Sequence, residues 1–154
     1  LPAPVPATPP VQPTTPVRPY PYPPNQIALK DAKDIRSCAL YAAARRPDLG
    51  STGTVGPHKM EAAANYAHKF ADKAFQIGEG ERGNLKDAIG VGYAITWEPG
   101  FKSHAEYGHV AIVEEVYDNY IVISEATVKN GVYVYNTKPV YFEELANENV
   151  TLIP

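Results

Sequence analysis

The sequence predicts an α+β domain in which N-terminal helices pack on an antiparallel β-sheet, preceded by an extended proline-rich segment. Three observations lead to this prediction. Eleven of the sixteen prolines lie between Pro2 and Pro24. After them, apolar residues first recur at helical spacing, and later fall in short runs rich in β-branched and aromatic residues. Helices followed by a meander of strands are typical of the α+β class.

The first thirty residues are predicted to be a linker in polyproline II conformation. Proline fixes φ and removes the backbone donor, so the stretch lacks the hydrogen bonds from which a helix or ladder is built. Residues 31–154 then form the domain. Because the chain begins with Leu1, we interpret it as a processed product or part of a longer chain. The linker is expected to join the domain to a neighbouring domain or surface.

Charge and hydropathy narrow the possible partners of the domain. Beyond residue 30 there are twelve basic and seventeen acidic residues, a formal charge of −5, which argues against nucleic acid. No run of 18 apolar residues is present, so we predict no membrane insertion. The single cysteine, Cys38, excludes an internal disulfide and a cysteine-based zinc site. A lone cysteine is most often a small buried apolar residue.

Two helices are predicted first. "DIRSCALYAAARR", from Asp34 to Arg46, has Asp34 or Ser37 as a possible cap and two arginines in its last turn, where the helix dipole favours cations. Cys38 therefore lies near the start of a helix. A second helix is expected from Pro57 to Ile77, with proline at its first position and a glycine after its end.

The rest of the domain is predicted to be strands. They are separated by turn signals at 98–100, 118–119 and 130–131. The segments are Gly92 to Trp97, Gly108 to Val116, Tyr120 to Ala126, Val132 to Asn136 and Pro139 to Phe142, with "VTLI" near the end as a further candidate.

Three residues could together carry thiol chemistry. Cys38 lies at a helix start, His109 at a strand start, and Glu125 at the end of the following strand. A helix N-terminus and a nearby imidazole both favour a thiolate, while a third group fixes the imidazole tautomer. Backbone N–H groups at the helix start could bind a developing oxyanion. A structural reading, with a buried cysteine and a half-exposed histidine, remains open at this point.

The motifs "SCALYAAARR", "GYAITWEPG", "GHVAIVEEV" and "ISEA", in this order, resemble the CHAP family of cysteine- and histidine-dependent amidohydrolases and peptidases found in bacterial and phage cell-wall enzymes. The resemblance covers roughly Asp34 to Thr127. It implies a papain-like fold, extracellular or phage-associated action, and peptidoglycan as the substrate. It also implies that Cys38 is the nucleophile, His109 the general base and acid, and Glu125 the group orienting His109.

Two positions depart from the family pattern. Ser37 stands where members often have glutamine or asparagine, and Thr127 stands where they often have asparagine. A hydroxyl can donate or accept a hydrogen bond at either place, so both are candidate supporting residues. The implied activity is an N-acetylmuramoyl-L-alanine amidase or an endopeptidase. The alternatives are an inactive structural or wall-binding module that keeps the fold, or another papain-like thiol enzyme.

The hairpin that joins His109 to Glu125 gives a geometric test. With a two-residue turn at Asp118 and Asn119 and no bulge, Glu125 would point to the face opposite His109. A three-residue loop from Tyr117 to Asn119, or a compensating bulge, would bring both side chains to one face. The thiol hypothesis therefore predicts one of these two irregularities.

Several further residues are assigned provisional roles. Tyr41, one turn after Cys38, is either a supporting residue or part of the core. Trp97, Tyr107 and Gly108 are candidates for a substrate groove. His104 competes with His109 but lies in a polar loop. Thiol chemistry requires no cofactor; calcium is conceivable because Asp31 and Asp34 lie near Cys38, although no EF-hand spacing is present.

Overall fold

The computed structural model describes residues 37–53, 62–78, 80, 85–103, 105–129 and 132–154. The proline-rich segment therefore lies outside the described residues, and its boundary at residue 30 stays a prediction. Asp31, Asp34 and His104 also lie outside the described residues.

The centre of the molecule is a five-stranded antiparallel sheet with strand order β4-β3-β2-β1-β5. The strands are β1 (Ala94–Trp97), β2 (His109–Val116), β3 (Tyr120–Lys129), β4 (Val132–Tyr141) and β5 (Val150–Ile153). The α+β class and the "VTLI" strand are confirmed. The two segments predicted between Val132 and Phe142 are one continuous strand, β4, which carries Lys138 and Pro139 on an edge of the sheet, where both are common.

Alternating side chains of β2 contribute to two separate apolar clusters. Val110 and Ile112 pack with the first helix, α1 (Ser37–Arg45), whereas Ala111 and Val113 pack with Leu85 and other residues of the second cluster. This alternation follows from the period of two along a strand. Each fully buried Ile or Leu stabilises the fold by about 1.5–3 kcal/mol. Helix α1 is thereby fixed against the strands that carry His109 and Glu125.

Helix α1 confirms the first predicted helix, and Cys38 is its second residue. The second predicted helix is wrong over most of its described part. Only α2 (Asn65–Lys69) is helical, because Phe75 exchanges backbone hydrogen bonds with Leu152 of β5 at 2.9 and 2.8 Å instead of continuing the helix. Pairing with a sheet edge therefore outweighs the helical period of the sequence.

Among the described residues, three single-turn helices were not predicted: a 3-10 turn (Pro47–Leu49), α3 (Leu85–Ala88) and α4 (Phe142–Leu145). So few residues do not show a helical period in the sequence. Helix α4 begins with a capping box, in which the carboxylate of Glu144 accepts a hydrogen bond from the Tyr141 N–H at 3.0 Å. No described helix is long and apolar enough to cross a membrane.

Arg46 follows α1 and is buried. Its guanidinium donates to the carbonyls of Gly92 (3.1 Å), Ile153 (2.8 Å) and Pro154 (3.0 Å) and pairs with Asp48 at 2.7 Å. Arg46 thus attaches the end of β5 and the loop before β1 to the helix. The contacts of Arg45, which is also buried, are described below.

The β2–β3 hairpin combines a two-residue turn with a bulge. Val116 pairs with Ile121, and the Tyr117 N–H donates to the Tyr120 carbonyl at 2.8 Å, so the turn consists of residues 118–119. The register then shifts by one residue, because the ladder continues with Val113 opposite Ile123. The extra residue is Glu114. The predicted three-residue loop is absent, and the alternative, a compensating bulge, is confirmed.

Candidate active site

Cys38 lies in the first turn of α1, and 9% of its surface is exposed. Its thiol is free, and it packs at the rim of the cluster between α1 and the sheet. The N-terminal turn of a helix carries partial positive charge and N–H groups without intrahelical partners. The position suits an anionic sulfur and any anion that forms next to it.

His109 is the first residue of β2, opposite Trp97 of β1. The two rings lie 5.5 Å apart between centroids, inclined at 36°. About 15% of the His109 side chain is exposed. The indole therefore limits the orientations available to the imidazole while one edge of the imidazole remains accessible.

His109 contacts both of the other predicted catalytic residues. Its Nε2 lies 2.8 Å from Oε1 of Glu125, and the Cys38 side chain is near enough to raise the pKa of the imidazole. Because Glu125 engages Nε2, Nδ1 is the ring nitrogen left for the sulfur. The structure thus brings Cys38, His109 and Glu125 together in the order that the sequence predicts, with the imidazole in the middle.

The bulge at Glu114 explains why Glu125 reaches His109. Continuing the register of Ile112 and Ser124 places Glu125 opposite Ala111, on the same face of the sheet as His109. Without the extra residue, Glu125 would point to the other face.

The charges of this cluster shift two pKa values in opposite directions. Burial alone would lower the pKa of His109, but the hydrogen bonds and charges of Cys38 and Glu125 raise it to about 9. Burial would raise the pKa of Glu125, but the hydrogen bond and charge of His109, with help from Asn136 and Lys138, lower it to about 2. Near neutral pH the cluster therefore holds an imidazolium beside a carboxylate.

Two residues of β4 hold the second oxygen of Glu125, and sequence reasoning missed both. Asn136 donates from Nδ2 to Oε2 at 3.2 Å, and the Lys138 ammonium lies 3.4 Å from the same oxygen. Asn136 pairs directly with Glu125 in the β3–β4 ladder. The turn signal at 130–131 could have revealed it, because a two-residue turn there places residue 136 opposite residue 125.

The supporting residues differ in what they contact. Tyr41 is 1% exposed, and its hydroxyl accepts a hydrogen bond from Arg45 at 2.8 Å, so it belongs to the core beneath the site. Thr127 lies half-buried on β3, two residues beyond Glu125. Ser37 is the first residue of α1, directly before Cys38. Supporting roles for Thr127 and Ser37 stay predictions.

The three residues assigned to a substrate groove are unequally exposed. Trp97 is 7% exposed and Gly108 is buried, whereas Tyr107 is half-buried. Gly108 has a φ of +70°, and a Cβ there would clash with the Trp97 carbonyl and approach the Cβ of Ala64 to 3.0 Å. Packing against its own chain therefore requires glycine here, and the atoms of Trp97 and Ala64 fill the space where a side chain at residue 108 would lie.

A small, largely apolar cleft lies along one side of α1. It has a volume of about 90 Å³ and is lined by Ala39, Leu40 and Ala43 of α1, by residues 50–52, and by Tyr66. Burial, and then the charge on Cys38, raise the pKa of the Tyr66 phenol. Leu40 is 37% exposed at the cleft.

The described part of the chain contains no cluster of three or more His, Cys, Asp or Glu side chains that could hold a metal ion. Asp31 and Asp34, on which the possibility of calcium depends, are not among the described residues.

The order of helices and strands is papain-like, and Cys38, His109 and Glu125 lie close together. These two features are typical of papain-like thiol enzymes. The CHAP domain model matches residues 30–127, and the chain belongs to this family. The family predicted from the sequence motifs is thus confirmed.

Among solved structures, the chain is similar to an N-acetylmuramoyl-L-alanine amidase from Staphylococcus aureus. The TM-score is 0.50 at 24% sequence identity, and the match covers 77% of this chain. It covers 30% of the amidase chain, so the comparison concerns the fold of one part of that protein. No curated protein sequence matches the chain.

Proposed function

We propose that the chain is a peptidoglycan hydrolase domain that cleaves an amide bond through a covalent thioester on Cys38. His109 is the general acid and base, and Glu125 orients it. The observation that carries this proposal is one imidazole that lies 2.8 Å from the Glu125 carboxylate and near enough to Cys38 for the cysteine to raise its pKa. A nucleophile, a base and an orienting group in that order are the arrangement that acyl transfer to sulfur needs.

The first half of the reaction forms the thioester. The Cys38 thiolate adds to the carbonyl carbon of the scissile amide, and the carbonyl oxygen becomes an oxyanion. We expect backbone N–H groups in the first turn of α1 to bind this charge. The His109 imidazolium then gives its proton to the amide nitrogen, the C–N bond breaks, and the amine leaves.

The second half regenerates the enzyme. His109, now neutral, takes a proton from water, and the resulting hydroxide adds to the thioester carbonyl. The C–S bond breaks, which releases the carboxylic acid product and restores the thiolate beside the imidazolium. Glu125 keeps Nε2 of His109 occupied throughout, so that the same ring nitrogen faces the sulfur in both halves.

The cleft along α1, whose lining includes Ala39 immediately after Cys38, is the place where we expect a side chain of the substrate to bind. Its volume of about 90 Å³ is smaller than the ~150 Å³ apolar cavity that accommodates benzene. A small apolar side chain, such as the methyl group of an alanine in a peptide stem, fits this space. Tyr107, the most exposed of the three groove candidates, is the residue we expect to contact the rest of the stem.

The proposed location of the reaction follows from its substrate. A domain that hydrolyses peptidoglycan acts outside the cell or from a phage particle. The proline-rich segment would then be a spacer that attaches the domain to a neighbouring domain or surface and gives it reach within the wall.

The test is digestion of purified peptidoglycan, followed by turbidity and by released amino groups. We expect Cys38→Ala and His109→Ala to lower the rate at least ~10³-fold, because the members of such a unit act together. His68→Ala is the matched control, since His68 lies on α2, outside the cluster of Cys38, His109 and Glu125, and we expect it to digest walls like the wild type. Equal rates for the wild type and Cys38→Ala would favour a structural or wall-binding module instead.

Mass spectrometry of the released fragments identifies the bond. An amidase frees the amino terminus of the residue attached to the glycan, whereas an endopeptidase frees an amino group within the peptide. Both reactions pass through the same thioester chemistry, so the catalytic residues are common to both.

A further inference from the structure

A buried ionic network links the helix of Cys38 to the hairpin of His109 and Glu125. Arg45, seven residues after Cys38 on α1, is 1% exposed, and its two terminal nitrogens pair with the two oxygens of Glu114 at 2.5 and 3.1 Å. The Ser124 hydroxyl donates to Glu114 at 2.5 Å and accepts from Arg45 at 3.3 Å. The Tyr41 hydroxyl completes the network.

The carboxylate in this network belongs to the bulge residue. Glu114 is the extra residue of β2, and the shift it causes brings Glu125 to the same face as His109. The other contact on the hairpin, Ser124, is the residue immediately before Glu125 and is fully buried. Arg45 therefore contacts the two places on which the position of the Glu125 carboxylate depends.

The ion pair of Arg45 and Glu114 matters more for the position of the Glu114 carboxylate than for the stability of the fold. Burial opposes the charge of Arg45, but the hydrogen bond and charge of Glu114 raise the pKa of its guanidinium, so Arg45 stays charged. A buried ion pair stabilises a fold little more than well-packed apolar side chains of the same size. What it adds is direction, because a planar guanidinium with two parallel bonds accepts only one placement of the carboxylate.

We propose that Arg45 is a positioning residue that, through Glu114 and Ser124, fixes the bulge and so holds the Cys38 helix in register with His109 and Glu125. This inference rests on the proposed function for its catalytic consequence. Arg45 acts through other residues and does not touch the reacting groups. Arg45 forms two bonds to the carboxylate of the bulge residue Glu114, and a substitution of Arg45 can remove one of these bonds while the positive charge is kept.

The test compares three variants. Arg45→Lys keeps the charge but cannot form both bonds to Glu114. Ser124→Ala removes only the hydroxyl that joins Glu114 to β3, and it is the variant most certain to fold. Arg46→Lys is the matched control, because Arg46 is also a buried arginine at the same helix end but bonds to Asp48 and to carbonyls outside the hairpin. Folding is verified by circular dichroism and thermal unfolding.

Two quantities are measured on each folded variant: the kcat for peptidoglycan digestion, and the titration of the His109 imidazole by NMR. We expect Arg45→Lys to lower kcat about tenfold or more and Ser124→Ala several-fold, with little change in KM. In both variants the His109 midpoint should fall toward that of an ordinary histidine. Arg46→Lys should leave kcat and the midpoint unchanged, even if it unfolds at a lower temperature.

A folded Arg45→Lys or Ser124→Ala protein with wild-type kcat and wild-type His109 titration would overturn the proposal, and so would an equal loss in Arg46→Lys. If Arg45→Lys does not fold, Ser124→Ala decides the matter. The titration needs no substrate. A wild-type protein that digests no peptidoglycan would therefore contradict the proposed function, while the titration would still decide whether Arg45 positions His109.

Discussion

Gly108 precedes His109 and shows how a single backbone position fixes the imidazole. Its φ of +70° belongs to the region that side chains with a Cβ rarely adopt, and the Trp97 carbonyl occupies the space where a Cβ would lie. Trp97 is also the residue that packs on the His109 ring. The glycine therefore allows the strand to approach β1 closely enough for the indole to contact the imidazole.

Substituting this glycine separates two causes of instability. We expect Gly108→Ala to lower the free energy of unfolding by roughly 2–4 kcal/mol, through backbone strain and the clash together. Gly100→Ala is the matched control, because Gly100 has a φ of +82° but open space within 4 Å of the point where a Cβ would lie, so it should cost only about 1–2 kcal/mol. Urea unfolding measures both, and equal losses would show that the clash contributes nothing.

The residues of the site were predictable to different degrees. Cys38, His109 and Glu125 could be selected because their residue types and order match a known chemistry. Asn136 was missed although its position follows from a turn that the sequence marks, since an asparagine in a strand carries no signal of its own. Arg45 was missed for a different reason: an arginine at a helix end is favoured by the dipole, and nothing in the sequence shows that it is buried.

At the scale of elements, the strands were predicted better than the helices. Runs such as "VAIVEEV" are paired on both sides in the sheet, so local pattern and tertiary structure agree. The segment from Ala63 to Ile77 shows a helical period, yet only Asn65–Lys69 is a helix because Phe75 joins β5. Long-range pairing of this kind leaves no periodic trace in the sequence.

The β2–β3 hairpin was predicted only in part. The sequence could show that a regular two-residue turn would separate Glu125 from His109, but it could not show which irregularity resolves this. The structure resolves it with a bulge at Glu114, whose carboxylate is held by Arg45 from a helix that lies far away in the chain. The bulge depends on a tertiary contact, so counting residues along the hairpin alone could not locate it.

At the scale of the whole molecule, the shifted pKa values of the site predict how stability varies with pH. The pKa of His109 is raised from 6.5 to about 9, so its contribution is complete below pH 6.5 and is lost as the pH rises through 9. The pKa of Glu125 is lowered from 4.5 to about 2, so its contribution is complete above pH 4.5 and is lost as the pH falls through 2. Stability from these two groups is therefore greatest between pH 4.5 and 6.5.

Urea unfolding of the wild type and of His109→Gln, measured between pH 6.5 and 9, checks the prediction for His109. The difference in unfolding free energy between the two proteins should decrease from pH 6.5 to 9, because the variant has no imidazolium to lose. A difference that stays constant over that interval would mean that folding does not raise the pKa of His109. Groups that titrate in both proteins cancel in the comparison.

The central claim is that one imidazole is held between the Cys38 thiol and the Glu125 carboxylate. The measurement that tests it most directly is the NMR titration of the His109 ring in the wild type, Cys38→Ala and Glu125→Gln. We predict a pKa of about 9 for His109 in the wild type and a lower value in each variant, because each removes one partner that favours the imidazolium. A wild-type value near 6.5 that neither substitution changes would contradict the account.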